Sequence, residues 1–153
     1  MQGPQGPGAS GPGPALVLDS SGAVIGHYIN RTGDVLVHVG ADHFVVAATK
    51  QGFIPMGSFI HREAGCTDMP TIAANVNALS LAPVALVKPG EAWLPDFNAT
   101  RVTLPADSTY FYQIFFADGS STPCLDDVVY SEVTLMPLRQ VSLSGFSAPF
   151  RLQ

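Results

Sequence analysis

The stretch TYFYQIFF, residues 109–116, is aromatic or aliphatic at every position except Thr109 and Gln113. Successive side chains of a β-strand point to opposite faces. One face of a strand here carries Tyr110, Tyr112, Ile114 and Phe116, and the other carries Phe111, Gln113 and Phe115. A strand that is apolar on both faces needs cover on both sides. In a two-layer sandwich the partner sheet covers one face, so the other face needs either a loop of the same chain or a neighbouring subunit.

The rest of the chain shows the same short extended runs. The turn DSSG, residues 19–22, separates two apolar runs and predicts a hairpin, and Gly40-Ala41-Asp42 predicts a second one. Further strands are predicted at Ser58–Arg62, Thr71–Asn75, Val84–Val87, Thr100–Leu104, Tyr110–Phe116, Val128–Leu135, Arg139–Leu143 and Pro149–Leu152. The one helix candidate, residues 71–82, lacks a convincing cap. The sequence therefore predicts an all-β fold, an antiparallel β-sandwich of jelly-roll type or a barrel.

The opening stretch GPQGPGASGPGPA, residues 3–15, is built from imperfect Gly-X-Y triplets. Collagen needs Gly at every third position because only Gly fits at the axis of the triple helix. Two interpretations are open, a collagen-like stub or a semi-rigid Pro-rich spacer, and the composition favours the stub. We expect residues 1–14 to be a collagen-like Gly/Pro-rich stub and residues 15–153 to form one C-terminal β domain.

The composition limits the classes of partner. Only 12% of the residues are charged, about half the usual share, which suggests that much of the surface is hidden between subunits. The net charge is −5 and the seven Lys and Arg residues are scattered along the chain. No basic patch for nucleic acid or anionic lipid is predicted, and no apolar run is long enough for membrane insertion.

The two cysteines, Cys66 and Cys124, lie in polar, turn-rich settings outside any Cys-x-x-Cys or Cys/His cluster. A zinc site is therefore not predicted. The cysteines are either two free thiols or one disulfide, which would contribute about 4 kcal/mol on the loop-entropy model. We favour the disulfide, which implies an oxidising location such as the cell exterior, a cell surface or a virion.

Several segments together resemble bacterial and phage collagen-like proteins that carry a small C-terminal β domain on a collagen-like stalk. They are the Gly/Pro-rich start running into ALVLDSSGAVIG, then GFIPMGSFIHREAGCTDMPTI, and the ending GFSAPFRL. The resemblance implies a homotrimeric tip whose three chains meet the three strands of the stalk. It brings no catalytic residues with it.

Candidate chemistry is sparse. His38 and His43 flank a predicted hairpin turn and lie close enough to share a metal with Asp42, but hairpins also place such residues together without a metal. The adjacent Asp126 and Asp127 point to opposite faces of a strand and cannot form an acid/base pair. No nucleophile elbow, phosphate loop or zinc-protease motif is present in the sequence. No catalytic residue, metal or cofactor is assigned.

The candidate binding residues are aromatic. Trp93 and Phe97 lie in PGEAWLPDFNAT, residues 89–100, which is predicted to be an exposed loop that stacks on a ligand. The alternative for Trp93 is a side chain that folds back onto the end of a barrel. Phe111, Tyr112 and Phe115 are the candidate residues of a subunit interface.

The sequence supports a non-enzymatic structural and interaction module that registers a collagen-like stalk. Its expected partners are two more copies of the chain and a glycan or protein receptor on a cell surface. Two alternatives stay open. One is a tail-associated glycan-cleaving enzyme with carboxylates drawn from distant strands, and the other is a trimerisation cap that binds no ligand.

Overall fold

The computed structural model describes residues 15–74 and 81–153, so the predicted stub at residues 1–14 lies outside it. Within these ranges the regular structure is β-strand. The strands are β1 Leu16–Leu18, β2 Val24–Tyr28, β3 Asp34–Val39, β4 Asp42–Thr49, β5 Gly52–Phe53, β6 Gly57–His61, β7 Thr71–Ala73, β8 Leu86–Lys88, β9 Glu91–Pro95, β10 Val102–Leu104, β11 Thr109–Phe115, β12 Leu125–Val128, β13 Val133–Ser142 and β14 Arg151–Leu152.

The first sheet has the strand order β14-β1-β2-β3-β4-β5, with antiparallel pairing throughout. Its first turn is organised by Asp19, which is buried. The Asp19 carboxylate accepts hydrogen bonds from the backbone N–H groups of Ser21, Ala23 and Ser147. These hydrogen bonds, together with one from the Ser21 hydroxyl, hold the pKa of Asp19 at about 2. The hydrogen bond from the Ser147 N–H therefore joins the segment before β14 to the first hairpin.

The second sheet has the order β12-β11-β6-β7-β13-β9-β8, and β10 also pairs with β13. The ten-residue strand β13 is its centre, since it pairs with β7, β9 and β10. The sheet curls into a half-barrel, and its far end packs face to face on the first sheet.

Two apolar clusters fill the molecule. The first lies between the sheets and contains Val17, Ile25, Val35, Val37, Phe44, Val46, Ala85, Val87, Ala92, Leu94, Val141, Leu143 and Phe150. The second lies inside the half-barrel, where Ile72, Leu86 and Phe115 pack around Phe59, Trp93 and Leu138. Since Ala92 and Leu94 belong to the first cluster and Trp93 to the second, strand β9 is covered on both faces. The half-barrel is thus a separate core rather than a flat second layer.

One ion pair links the two sheets outside the clusters. The guanidinium of Arg139 in β13 donates two hydrogen bonds to the carboxylate of Asp42 in β4. The hydrogen bonds to Asp42 raise the pKa of Arg139 further above its usual value. Asp42 therefore faces the opposite sheet rather than a metal shared with its neighbour His43.

The predicted all-β class is confirmed, with two antiparallel sheets, and both predicted hairpins are present. The predicted strand Val128–Leu135 is wrong. Val128 ends β12 and Val133 begins β13, because the chain changes partners there from β11 to β7 and β10. The helix candidate begins as strand β7 at Thr71–Ala73, while its residues 75–80 lie outside the described ranges.

The exposed loop predicted around Trp93 is also wrong. Residues 91–95 form β9, paired with β8 on one side and β13 on the other. The two flanking prolines suggested a loop, but Pro95 only ends the strand. A short strand at Gly52–Phe53 and one at Leu125–Val128 were not predicted either.

Candidate functional site

Strand β11 lies between β6 and β12 and offers one face to each side of the half-barrel. Its Phe115 side chain lies on the inner face, with its ring centroid 5.5 Å from that of the fully buried Phe59. By alternation, Phe111 shares this inner face and lies opposite His61 of β6. The inner face of β11 is therefore satisfied, at least at Phe115, within the chain itself.

A lysine closes the half-barrel cluster. The Nζ of Lys88 lies 4.8 Å from the Phe59 ring centroid and 5.3 Å from those of Trp93 and Phe115. Cation–π attraction of this kind holds an ammonium over aromatic faces. Burial lowers the pKa of Lys88, and the nearby Glu91 partly opposes that shift. These three aromatic rings explain how the ammonium group of Lys88 is accommodated beside an otherwise apolar cluster.

The outer face of β11 is aromatic, and its side chains are only half-buried among the described residues. Tyr110 and Tyr112 lie there with ring centroids 5.9 Å apart. Alternation places Ile114 on the same face, and the register places Ile60 of β6 opposite Tyr112. These four residues, together with the 87% exposed Tyr130, form what we call the tyrosine face. Its four strand residues are half-buried.

The surroundings of Tyr110 on the tyrosine face disfavour ionisation of its hydroxyl group. The pKa of Tyr110 is raised, first by burial and then by the negative charge of Asp127 and the neighbouring Tyr112 and Tyr130. The phenol of Tyr110 therefore stays neutral and available as a hydrogen-bond donor. Asp126 and Asp127 are both exposed on β12. The surface combines apolar area with a few polar groups, which is the composition of a protein interface.

The predicted interface residues therefore divide between the two faces. Phe115 belongs to the half-barrel cluster because it packs on Phe59, and Phe111 lies on the same side of the strand. Tyr112 lies on the outer face. The sequence identified a strand with two apolar faces, and the residues of both faces from Tyr110 to Phe115 are half-buried within the described chain.

The predicted ligand residues Trp93 and Phe97 are not placed together. Trp93 is only 8% exposed, and its Nε1 donates a hydrogen bond to the Glu91 carboxylate. Phe97 is 60% exposed and lines a shallow cavity of about 160 Å³ with His43 and Arg139. Trp93 therefore takes the alternative role of an aromatic side chain folded into the protein.

A row of histidines crosses the outer side of the first sheet. The His38 ring lies edge-on to His43, 4.5 Å between centroids, and to His27, 5.5 Å away. Within residues 15–74 and 81–153, no group of three His, Cys, Asp or Glu side chains is arranged to hold a metal ion. Burial, and then the two neighbouring histidines, lower the pKa of His38.

This shift predicts a loss of stability in mild acid. Because the folded-state pKa of His38 is below 6.5, the unfolded chain binds its proton first as the pH falls. The free energy of unfolding should drop as the pH falls below about 6.5 and level off once the folded-state pKa is passed. Urea unfolding between pH 7.5 and pH 5 measures this slope. His38→Leu should flatten it; a slope unchanged by this substitution would show that another group is responsible. Asp19 titrates well below this range.

Cys66 and Cys124 are joined, with an S–S distance of 2.07 Å and Cα atoms 5.7 Å apart. Cys66 follows β6 and Cys124 precedes β12, and these strands are the two neighbours of β11. The bond therefore spans the strand that carries the tyrosine face. The loop of Cys66 is held further by Asp68, whose carboxylate accepts a hydrogen bond from the Arg62 backbone and contacts the buried His61.

One site was missed by the sequence. A cavity of about 540 Å³ opens at one end of the first sheet, and Arg31, Lys50 and Arg151 are among the residues that line it. These cations are far apart in the sequence and appeared scattered. Their segments are brought together by the pairing of β14 with β1 and by backbone hydrogen bonds from the Ala48 N–H to the Gly33 carbonyl and from the Phe150 N–H to the Lys50 carbonyl.

Comparisons with protein-family models, curated proteins and solved structures find no match to this chain. No helix in the described ranges has the length and apolar character needed to span a membrane. The function is therefore inferred from the residues and their geometry.

Proposed function

We propose that this chain is the homotrimeric C-terminal tip of a collagen-like fibre or surface protein outside the cell. Its role is structural: three β domains associate, fix the register of the stalk and present their exposed loops to a cell-surface glycan or protein. The observation that carries this proposal is the tyrosine face, an aromatic surface on strand β11 whose strand residues are only half-buried within the described chain.

Burial of the tyrosine face explains two features of the chain together. Tyrosine is enriched in protein interfaces because its ring supplies contact area and its hydroxyl a hydrogen bond. The half-buried Tyr110, Tyr112, Ile114 and Ile60 become fully buried if a neighbouring copy packs on them. A chain with only 12% charged residues also has little polar surface to keep all its faces in water. Association of several copies would account for both the half-buried aromatic surface and the low fraction of charged residues.

A closed assembly also suits the segment at residues 1–14. Three symmetric copies place their three chain starts equivalently about one axis, and a triple helix needs three chains aligned in register before it forms. The disulfide supports an oxidising location outside the cell. The proposal thus joins the Gly/Pro-rich start, the aromatic surface and the cysteine pair in one role.

The proposal can be tested through the stalk. Regular Gly-Pro-Pro triplets are added before residue 1, and refolding of the triple helix is followed by circular dichroism after heating that melts the helix only. With the natural domain we expect refolding whose rate does not depend on protein concentration, because the trimeric domains hold three chains together. With Tyr112→Asp we expect slow refolding that speeds up with concentration. Equal, concentration-dependent refolding of both proteins would contradict the role in registering the stalk.

A further inference from the structure

The cavity at the end of the first sheet has an apolar floor and a cationic rim. Val17, Val35 and Phe150 form the buried part of its lining. The half-buried Tyr28 and Ala48 extend this lining. A volume of about 540 Å³ lies within the range of small-molecule sites, which are mostly apolar with a few polar groups that fix orientation.

The rim carries Arg31, Lys50 and Arg151, each exposed, and no acidic side chain lines the cavity. Arg31 lies in the β2–β3 turn and Lys50 in the β4–β5 turn. Arg151 lies in β14, beside the backbone hydrogen bond from the Phe150 N–H to the Lys50 carbonyl. Three of the seven Lys and Arg residues of the chain therefore line the same cavity.

These three cations have no acidic partner of their own. Among the described residues, which include every Asp and Glu of the sequence, the ion pairs are His61–Asp68 and Arg139–Asp42. Arg151 donates one hydrogen bond to the backbone carbonyl of Asp19, which carries no charge. In a chain with a net charge of −5, such a concentration of unpaired positive charge around an apolar cavity favours an anion.

We propose that the cavity binds the anion of an unbranched fatty acid, with its carboxylate at Arg31, Lys50 and Arg151 and its alkyl chain on Val17, Val35 and Phe150. The apolar floor favours an alkyl chain over a sugar, which needs a hydrogen-bond partner for most of its hydroxyl groups. The cationic rim favours a carboxylate over a neutral or cationic head group, and Arg pairs with carboxylates through two parallel hydrogen bonds. This inference is independent of the proposed trimer.

Isothermal titration calorimetry on the full chain tests both halves of the proposed ligand. Dodecanoate, below its micelle concentration, is the probe. Dodecyltrimethylammonium has the same alkyl chain with the opposite charge, and butanoate has the same head with a short chain. We expect one dodecanoate to bind per chain. Dodecyltrimethylammonium should bind at least about tenfold more weakly than dodecanoate, and butanoate should show no detectable binding. Equal binding of the two amphiphiles would overturn the proposal.

Charge variants locate the site. The double variant Arg31→Gln, Lys50→Gln should weaken dodecanoate binding about tenfold or more, since hydrogen bonds to charged groups contribute substantially. The matched control is Arg62→Gln, Arg101→Gln, which removes two exposed cations that do not line the cavity and should leave the affinity unchanged. Thermal melts confirm that each variant is folded.

Three other results would also overturn the proposal. One is an affinity that both double variants lower equally, because the attraction would then be to overall charge. Another is binding to phosphatidylglycerol vesicles, weakened by the cavity variant, with no binding of free dodecanoate. The third is a change in oligomeric mass caused by the cavity variant alone, because a second copy of the chain would then occupy the cavity.

Discussion

Tyr112→Asp is expected to convert the proposed trimer into folded monomers. An aspartate at this position places an unpaired charge at the centre of the tyrosine face, and burying such a charge costs about 3–5 kcal/mol. This free-energy cost applies to every copy in the proposed assembly. Within the isolated domain Tyr112 is only half-buried on the outer side of β11, so the carboxylate stays hydrated in the monomer. Light scattering should show the loss of mass, and circular dichroism should show an unchanged β spectrum.

Two control variants separate an interface from a core. Tyr112→Phe keeps the ring and should remain trimeric. Phe115→Ala, three residues along the same strand, should lower the free energy of unfolding by about 2–3 kcal/mol because it removes the ring that packs on Phe59. Alanine is preferred here because an aspartate beside Lys88 would form a new ion pair. If Tyr112→Asp keeps both the wild-type mass and the wild-type melting temperature, the tyrosine face is not the interface.

Removal of the disulfide is expected to have the second large effect. Cys66 and Cys124 are 58 residues apart, and the entropy lost on closing a loop of that length raises the free energy of the unfolded chain by about 4 kcal/mol at 25 °C. Cys66→Ser, Cys124→Ser should therefore lower the free energy of unfolding by a similar amount, measured by urea denaturation. The loss of local stability should be greatest around β11, because the disulfide joins segments next to β6 and β12, the two partner strands of β11.

Mass spectrometry supplies the control for the disulfide. The unreduced protein should be two hydrogens lighter than the reduced protein, and only reduction should allow alkylation of both thiols. The double serine variant should melt at the same temperature with and without reductant. Two thiols that alkylate freely in protein purified under oxidising conditions would contradict the pairing and the oxidising location inferred from it.

The local pattern of the sequence was enough to predict the all-β class and both hairpin turns. The DSSG turn works because Asp19 accepts hydrogen bonds from residues just after it, and Gly22 adopts a positive φ of 89°. The alternation in residues 109–116 predicted two apolar faces correctly. Each of these signals acts within a few residues, where steric and hydrogen-bond rules decide the conformation.

The sequence could not show which strands become neighbours. Trp93 resembled a loop residue between two prolines, yet pairing with β8 and β13 places it inside the half-barrel. The three cations of the cavity are separated by up to 120 positions, and their segments come together through the pairing of the last strand with the first and through the backbone hydrogen bond from Phe150 to Lys50. Contacts between residues so far apart in the sequence depend on the packing of whole sheets rather than on the local sequence pattern.

The central claim is that three copies of this chain associate through the tyrosine face, and the native mass in solution tests it most directly. Multi-angle light scattering of the unmodified chain at micromolar concentration should give three times the chain mass of 16.1 kDa. Tyr112→Asp at the same concentration should give the mass of one chain. A mass of 16.1 kDa for the unmodified chain at every concentration up to tens of micromolar would contradict the account.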